Sequence, residues 1–238
     1  VDRQARGPGN SESPLRYDEN MTATLLNTGV YDAHEVAHLL GGRQVEQVIR
    51  WSTVDAKGNS PMVAPSHGRS FSFVDLVSLA VVAEVCQRQV PEADVRHGIQ
   101  SLVDEYGFER PLSHQNVIQT LATSGASFLA KLKGGWFDIG KGGQGAFEQI
   151  VRVYLRALSY DDLGVAAIWR PTPHVVLDPR IQAGAPCVEG TRIPTSTIHE
   201  LLDDETPEEL AEEYGLTVEQ IEAADHFEQR LSDGIGLV

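Results

Sequence analysis

His34-Glu35-Val36-Ala37-His38 is the stretch whose residue types and spacing best suit bond-making chemistry. Two histidines four residues apart share one helix face, and with a glutamate between them they fit the H-E-x-x-H pattern. In that pattern zinc is held by the histidines and the carboxylate acts as general base. Such a site requires a long helix and a third ligand downstream. Here the motif starts directly after Asp32, which forms a D-x-x-E capping box with Glu35, and the helix meets Gly41-Gly42 after barely two turns. The other histidines, His67, His97, His114, His174, His199 and His226, are scattered. Cys86 and Cys187 make neither a disulfide framework nor a metal signature. Lys141-Gly142-Gly143-Gln144-Gly145 lacks the G-x-x-x-x-G-K-S/T spacing of a phosphate loop and reads as a flexible turn. Acidic residues after Asp203 are too dense and too regular with helix caps to suggest a paired general acid and base. No catalytic residue, metal or cofactor is expected, and the chain is not read as an enzyme.

A second set of side chains suits hydrogen bonding to base edges. The helix from Arg43 to Trp51 buries Val45, Val48 and Ile49, which turns Arg43, Gln44, Glu46, Gln47 and Arg50 outward. Arginine and glutamine form bidentate contacts with guanine and adenine. A short helix with Ala33, Val36, Ala37 and Leu40 on one face precedes it, across the glycine turn. Helix, turn and helix is the geometry that lays the second helix in the major groove. A plain helical hairpin is the other reading. Ser52 to Ser70 carries Lys57-Gly58-Asn59, Pro61, Pro65 and Gly68-Arg69, and reads as strand, turn and strand, a wing. Ser72-Phe73-Val74-Asp75 then opens a long apolar helix through Arg88, and Pro91 opens another with Val95, Ile99, Leu102 and Val103 on its face.

Glu35-Val36-Ala37, Leu39, Gly41, Arg50-Trp51, Arg69, Phe71 and Asp75-Leu76 together resemble the DNA-binding domain of MerR-type regulators. The resemblance covers about 80 residues and departs from the family where Gly41 to Arg50 is stretched by about one residue. It implies phosphate contacts from Arg43, Arg50, Lys57 and Arg69. From Arg43 to Arg69 there are four bases and two acids, a local +2.

The chain as a whole has a formal charge of −15, unevenly spread. Glu200 to Val238 holds 13 acids and one base, a net −12, while the preceding residues hold 21 acids and 18 bases, a net −3. Phosphate attraction dominates nucleic-acid affinity, so the C-terminal part is a poor DNA binder. Its acidity is either a solvated face or a surface for a basic partner.

That C-terminal part opens with Val175-Val176-Leu177, closed by Asp178-Pro179, followed by Pro186-Cys187-Val188, the turn Glu189-Gly190-Thr191 and Arg192-Ile193-Pro194-Thr195. Short runs bounded by glycine and proline read as a small β element. Ser196 to Leu202 has Ile198, Leu201 and Leu202 on one helical face. Thr206-Pro207-Glu208-Glu209 and Thr217-Val218-Glu219-Gln220 are capping boxes, the first with proline at the first helical position, and they open two helices joined at Tyr214-Gly215-Leu216.

Asp178, Pro179, Ile181, Gly184, Pro186, the run Gly190-Thr191-Arg192-Ile193-Pro194, Glu209, Glu213, Tyr214, Leu216, Thr217, Ile221 and Ala224 resemble a small bacterial domain family of unknown function. Thr195 stands where that family has valine. The resemblance covers roughly the last quarter of the chain. It implies a VapB-like antitoxin that partners ribonuclease toxins of PIN-type fold. On that expectation the Glu-rich helices, with Glu209 and Glu213, hold the toxin, and Arg192 and Arg230 are candidates to reach its metal-binding carboxylates, since arginine pairs well with carboxylates. Arg192 has a second reading, bracing its own Gly190 turn.

These readings give a mainly α chain with small β elements: a disordered arm over 1–28, a winged helix-turn-helix over 29–110, a connector or dimerisation region over 111–171, and a β-plus-helix-turn-helix module over 172–238. Within the connector, 129–132 and 136–139 read as a hairpin, Ala146 to Leu158 as an amphipathic helix, and Arg170-Pro171-Thr172-Pro173 as a stiff linker. The expected function is that of a type II antitoxin binding operator DNA as a homodimer and a PIN-type ribonuclease toxin. The alternative is a MerR-type ligand-responsive regulator without a toxin, its sensor at 111–171. No run of about 18 apolar residues suggests a membrane span, and no secretory leader is read, so a cytoplasmic location is expected.

Overall fold

Between Phe73 and Val85 eleven side chains are buried, and a helix apolar on every side must be packed on every side. The computed structural model describes residues 28–87, 90–121 and 157–235, and places this helix, α3 (Phe73–Gln87), at the centre. Before it come α1 (Ala33–Leu39) and α2 (Val45–Ser52), and after it α4 (Glu92–Tyr106), a 3-10 turn (Pro111–Ser113) and helical residues 115–121. A four-stranded antiparallel meander follows: β1 (Leu158–Tyr160), β2 (Ala166–Thr172), β3 (Val175–Leu177) and β4 (Cys187–Val188). Three helices close the described chain: α5 (Thr195–Leu201), α6 (Pro207–Tyr214) and α7 (Val218–Ser232). The chain is thus mainly α with small β elements.

The expected caps form. Asp32 and Glu35 make a reciprocal capping box on α1, as do Thr206 and Glu209 on α6 and Thr217 and Gln220 on α7. Gly41 and Gly42, at φ 81° and 62°, turn the chain between α1 and α2 in a conformation that strains other residues.

Two expectations change. Residues 53–70 carry turns in place of the two wing strands. Asp55 Oδ1 accepts the amides of Lys57 and Asn59, and a side chain that satisfies local amides substitutes for a strand ladder. Phe71 bridges instead to Tyr31, far back in the chain. Arg170 to Thr172, read as a linker, end strand β2, where Trp169 pairs with Leu177 and Thr172 with Val175. Pro171 is tolerated there although it has no amide to donate. The hairpin expected at 129–139, the Lys141–Gly145 turn and most of the helix expected at Ala146–Leu158 lie outside the described residues. Leu158 itself is in β1.

One apolar core joins α1 to α4 with Trp169, Val175 and Leu177 of the sheet and Phe227 and Leu231 of α7. A second, smaller core lies within the C-terminal segment: Val188, Ile198, Leu210, Ile221 and Ala224. Among the described residues no helix is long and apolar enough to cross a membrane.

Candidate functional site

The candidate base-reading residues sit around α2, and two of them are engaged within the protein. Arg50 donates to both carboxylate oxygens of Glu92 at the start of α4, at 3.0 and 2.7 Å. Glu92 also accepts the Trp51 indole N–H at 3.1 Å. The bidentate pairing holds Glu92 below the usual carboxylate range and raises Arg50 further. Arg43 donates to the Gln87 amide oxygen at the end of α3. Gln44 and Glu46 are exposed and Gln47 is half-buried. Lys57 is exposed on the turn closed by Asp55, and Arg69 on the turn between His67 and Ser70. Ile49, expected on the buried face, is 47% exposed, whereas Trp51 is fully buried. The buried face of α2 thus runs through Val48, Trp51 and Ser52 rather than through Val45, Val48 and Ile49.

An unanticipated pair of arginines fixes α1 to α4, the head of the molecule. Arg96 of α4 is buried and donates to the carbonyls of Arg50, Thr53 and Ser60. It therefore holds the end of α2 and the turn after it on α4. Arg110 donates to the carboxylate of Asp75, whose side chain is wholly buried, at 2.5 Å and to the Ala64 carbonyl at 2.5 Å. Burial pushes Asp75 up, but hydrogen bonds from Arg110, Ser66 and Ser72 outweigh it and leave the carboxyl below its ordinary range. The signal available in the sequence was a charged residue beside Val95 and Ile99 on the buried face of α4. Such a residue has to meet carbonyls or an ion partner.

The C-terminal candidates occupy different positions. Gly190-Thr191-Arg192-Ile193-Pro194 forms a tight reversal: Gly190 has φ 83°, Thr191 Oγ1 donates to the Val188 carbonyl, and Val188 N donates to Ile193 O at 2.9 Å. Arg192 is exposed. Its carbonyl accepts the Gln182 side chain at 2.9 Å, and among the described residues no hydrogen bond joins its guanidinium to the turn. Glu209 is spent on the Thr206 cap, whereas Glu213 is exposed on α6. Arg230 is half-buried on α7. Asp203, Asp204, Glu208, Glu209, Glu212, Glu213, Glu219 and Glu222 are all exposed, which makes a strongly acidic face. Cys86 and Cys187 are pushed up to about 12 and about 11 by burial, so neither is a ready nucleophile.

Head and C-terminal segment are joined by a strained turn. Gln182, Ala183 and Gly184 follow one another in the left-handed region, at φ 49°, 55° and 95°. The Ala183 carbonyl accepts Val30 N at 3.0 Å and the Gly184 carbonyl accepts the Tyr31 hydroxyl at 2.7 Å. A Cβ at Gly184 would sit against that hydroxyl. At the other end, Gly234 lies against Gly41 and Gly42, and His38 Nε2 is 3.9 Å from Glu228 Oε2. Glu35, the base a zinc site would need, caps Asp32 instead at 2.6 Å. Among the described residues no group of three or more histidines, cysteines or acids is placed to hold a metal.

Residues 175–227 match a family described as "Protein of unknown function (DUF433)". Over 181 residues the chain is 27% identical to a candidate antitoxin, VapB45 of Mycobacterium tuberculosis, covering 69% of this chain and 73% of that protein. The fold is similar to the crystal structure of Rv2018 from Mycobacterium tuberculosis. The TM-score is 0.61 at 21% identity, over 82% of this chain and 95% of that one.

Proposed function

We propose that this chain is the antitoxin of a type II toxin-antitoxin system, which neutralises a PIN-type ribonuclease and binds operator DNA to regulate its own expression. The observation that carries the reading is the 27% identity to a candidate VapB antitoxin, which runs through most of both chains rather than through a single motif. The acidic outer face of α6 and α7 supports it, since a surface of one sign steers a partner of the other. In this reading the exposed guanidinium of Arg192 pairs with metal-binding carboxylates of the ribonuclease, arginine being well matched to a carboxylate fork. Glu213 and Arg230 are further toxin-binding candidates in this reading.

DNA binding falls to α2, as a homodimer. Gln44 and Gln47 face the base edges, with Lys57 and Arg69 at the phosphates. Arg43 and Arg50 join them only by exchanging Gln87 and Glu92 for DNA, so operator binding costs the protein an internal ion pair.

Co-expression with the product of the adjacent gene tests the reading. A tagged copy that pulls the neighbour down and restores growth supports it, and Arg192→Glu then weakens both. No complex and no rescue would overturn the toxin-neutralising role. Intact operator binding in that case would leave a stand-alone regulator.

A further inference from the structure

Between α1, the strained turn and α7 lies a cavity of about 280 Å³. Thr195, fully buried, and Glu228, 8% exposed, form its floor, and Glu35, His38 and Ser196 stand exposed at its mouth. No lysine or arginine is among its lining residues. Glu228 Oε1 accepts the Thr195 hydroxyl. Oε2 accepts no hydrogen bond among the described residues, and the basic group that faces it is His38, half-exposed and 3.9 Å away. A carboxylate drawn out of water loses more solvation than one hydroxyl returns, and such groups are found paired with cations. Gln182 and Ala183 line it in strained backbone, and strain of this kind is retained where the surroundings over-determine it. The volume lies at the small end of ligand sites.

We propose that this cavity is a recognition site for a small organic cation of guanidinium or primary-amine type. The charged head sits on Glu228 and Thr195, and the stem passes between Glu35 and Ser196. The site uses the first helix of the helix pair and the last described helix at once, so an occupant ties one to the other. The same chemistry has two sources, a free metabolite bearing a guanidinium and an arginine side chain offered by a partner protein. The cation site does not rest on the antitoxin reading.

The test is titration of the full chain with methylguanidinium, with L-arginine and with N-acetyl-L-arginine methylamide. Calorimetry and amide NMR are read against sodium chloride at equal ionic strength. Saturable binding at roughly millimolar concentrations or below is expected. Amide shifts should be confined to residues 30–39, 182–196 and 228–231. Glu228→Gln, isosteric and uncharged, should weaken binding at least tenfold, and Glu222→Gln on the outer face of α7 should leave it unchanged. Ser196→Trp, at the exposed rim, should block the cavity without touching the core and serves if Glu228→Gln fails to fold. Tighter binding of L-arginine than of the capped amide assigns the site to a free ligand, and the reverse assigns it to a side chain. No saturation with any probe, shifts spread over the acidic faces of α6 and α7, or unaltered affinity in both Glu228→Gln and Ser196→Trp overturns the proposal.

Discussion

The buried arginines of the head and the caps of α6 and α7 satisfy polar groups at different distances along the chain. In the head the bonds are remote: Arg110 reaches Asp75, Arg50 reaches Glu92, and Arg96 reaches carbonyls of Arg50, Thr53 and Ser60. At the N-terminal ends of α6 and α7 they are local, Thr206 with Glu209 and Thr217 with Gln220, three residues apart, while farther along α7 Asp225 and Glu228 reach back to His199 and Thr195. The cores differ likewise. One runs from Tyr31 to Leu231, and the other gathers five buried residues between Val188 and Ala224. Remote bonds make a region cooperative and hard to edit, whereas local caps let a helix be altered singly.

The largest effect should come from the remote bonds. Arg110→Met strands the buried Asp75 carboxylate and should cost about 3–5 kcal/mol, read as a lower urea midpoint. Because the folded carboxyl of Asp75 titrates below its unfolded value, its contribution is complete above the unfolded carboxylate range. It fades as pH falls through the folded value. Asp75→Asn should therefore be destabilising at neutral pH and approach the parent protein in acid. A parallel fall of both proteins with pH would show that this pair does not govern the head.

Leu210→Ala, at a wholly buried site of the small core, should cost about 3 kcal/mol. Hydrogen exchange should speed in α5 to α7 before it speeds in α3. Equal acceleration of both regions would mean that the two cores unfold as one. Thr217→Ala should cost about 1 kcal/mol, seen in the melting temperature, since it removes a single cap. Glu92→Gln is smallest in stability, under about 1 kcal/mol, because the pair is partly exposed and the amide oxygen still accepts from Trp51. It should nevertheless raise operator affinity several-fold by releasing Arg50. Unchanged or weaker DNA binding would make Arg50 a brace alone.

That contrast also explains what could be read in advance. Caps at Asp32, Thr206 and Thr217 are written within four residues, and all three formed with the expected partners. The apolar run of α3 announced a buried helix. The wing was misread because strand-like punctuation at Lys57-Gly58-Asn59 also suits an Asx turn, and Phe71 pairs with Tyr31, forty residues away. Of the candidate site, the outward placement of Gln44, Glu46 and Arg192 was legible. The engagement of Arg50 by Glu92, and of Glu35 by its own cap, depended on what the fold brings near. Glu228 gave no signal at all, because a glutamate in an acidic helix looks solvated until Thr195 is folded against it.

Phe227 and Leu231 complete an apolar interior that begins at Tyr31. During synthesis the helices of the head leave the ribosome long before the residues that complete their packing, so the nascent chain must carry the α1 side of the head open until α7 emerges. Chaperones and proteases thus meet an unfinished head for most of translation. A premature stop anywhere before α7 yields a fragment marked for removal by its own exposed interior.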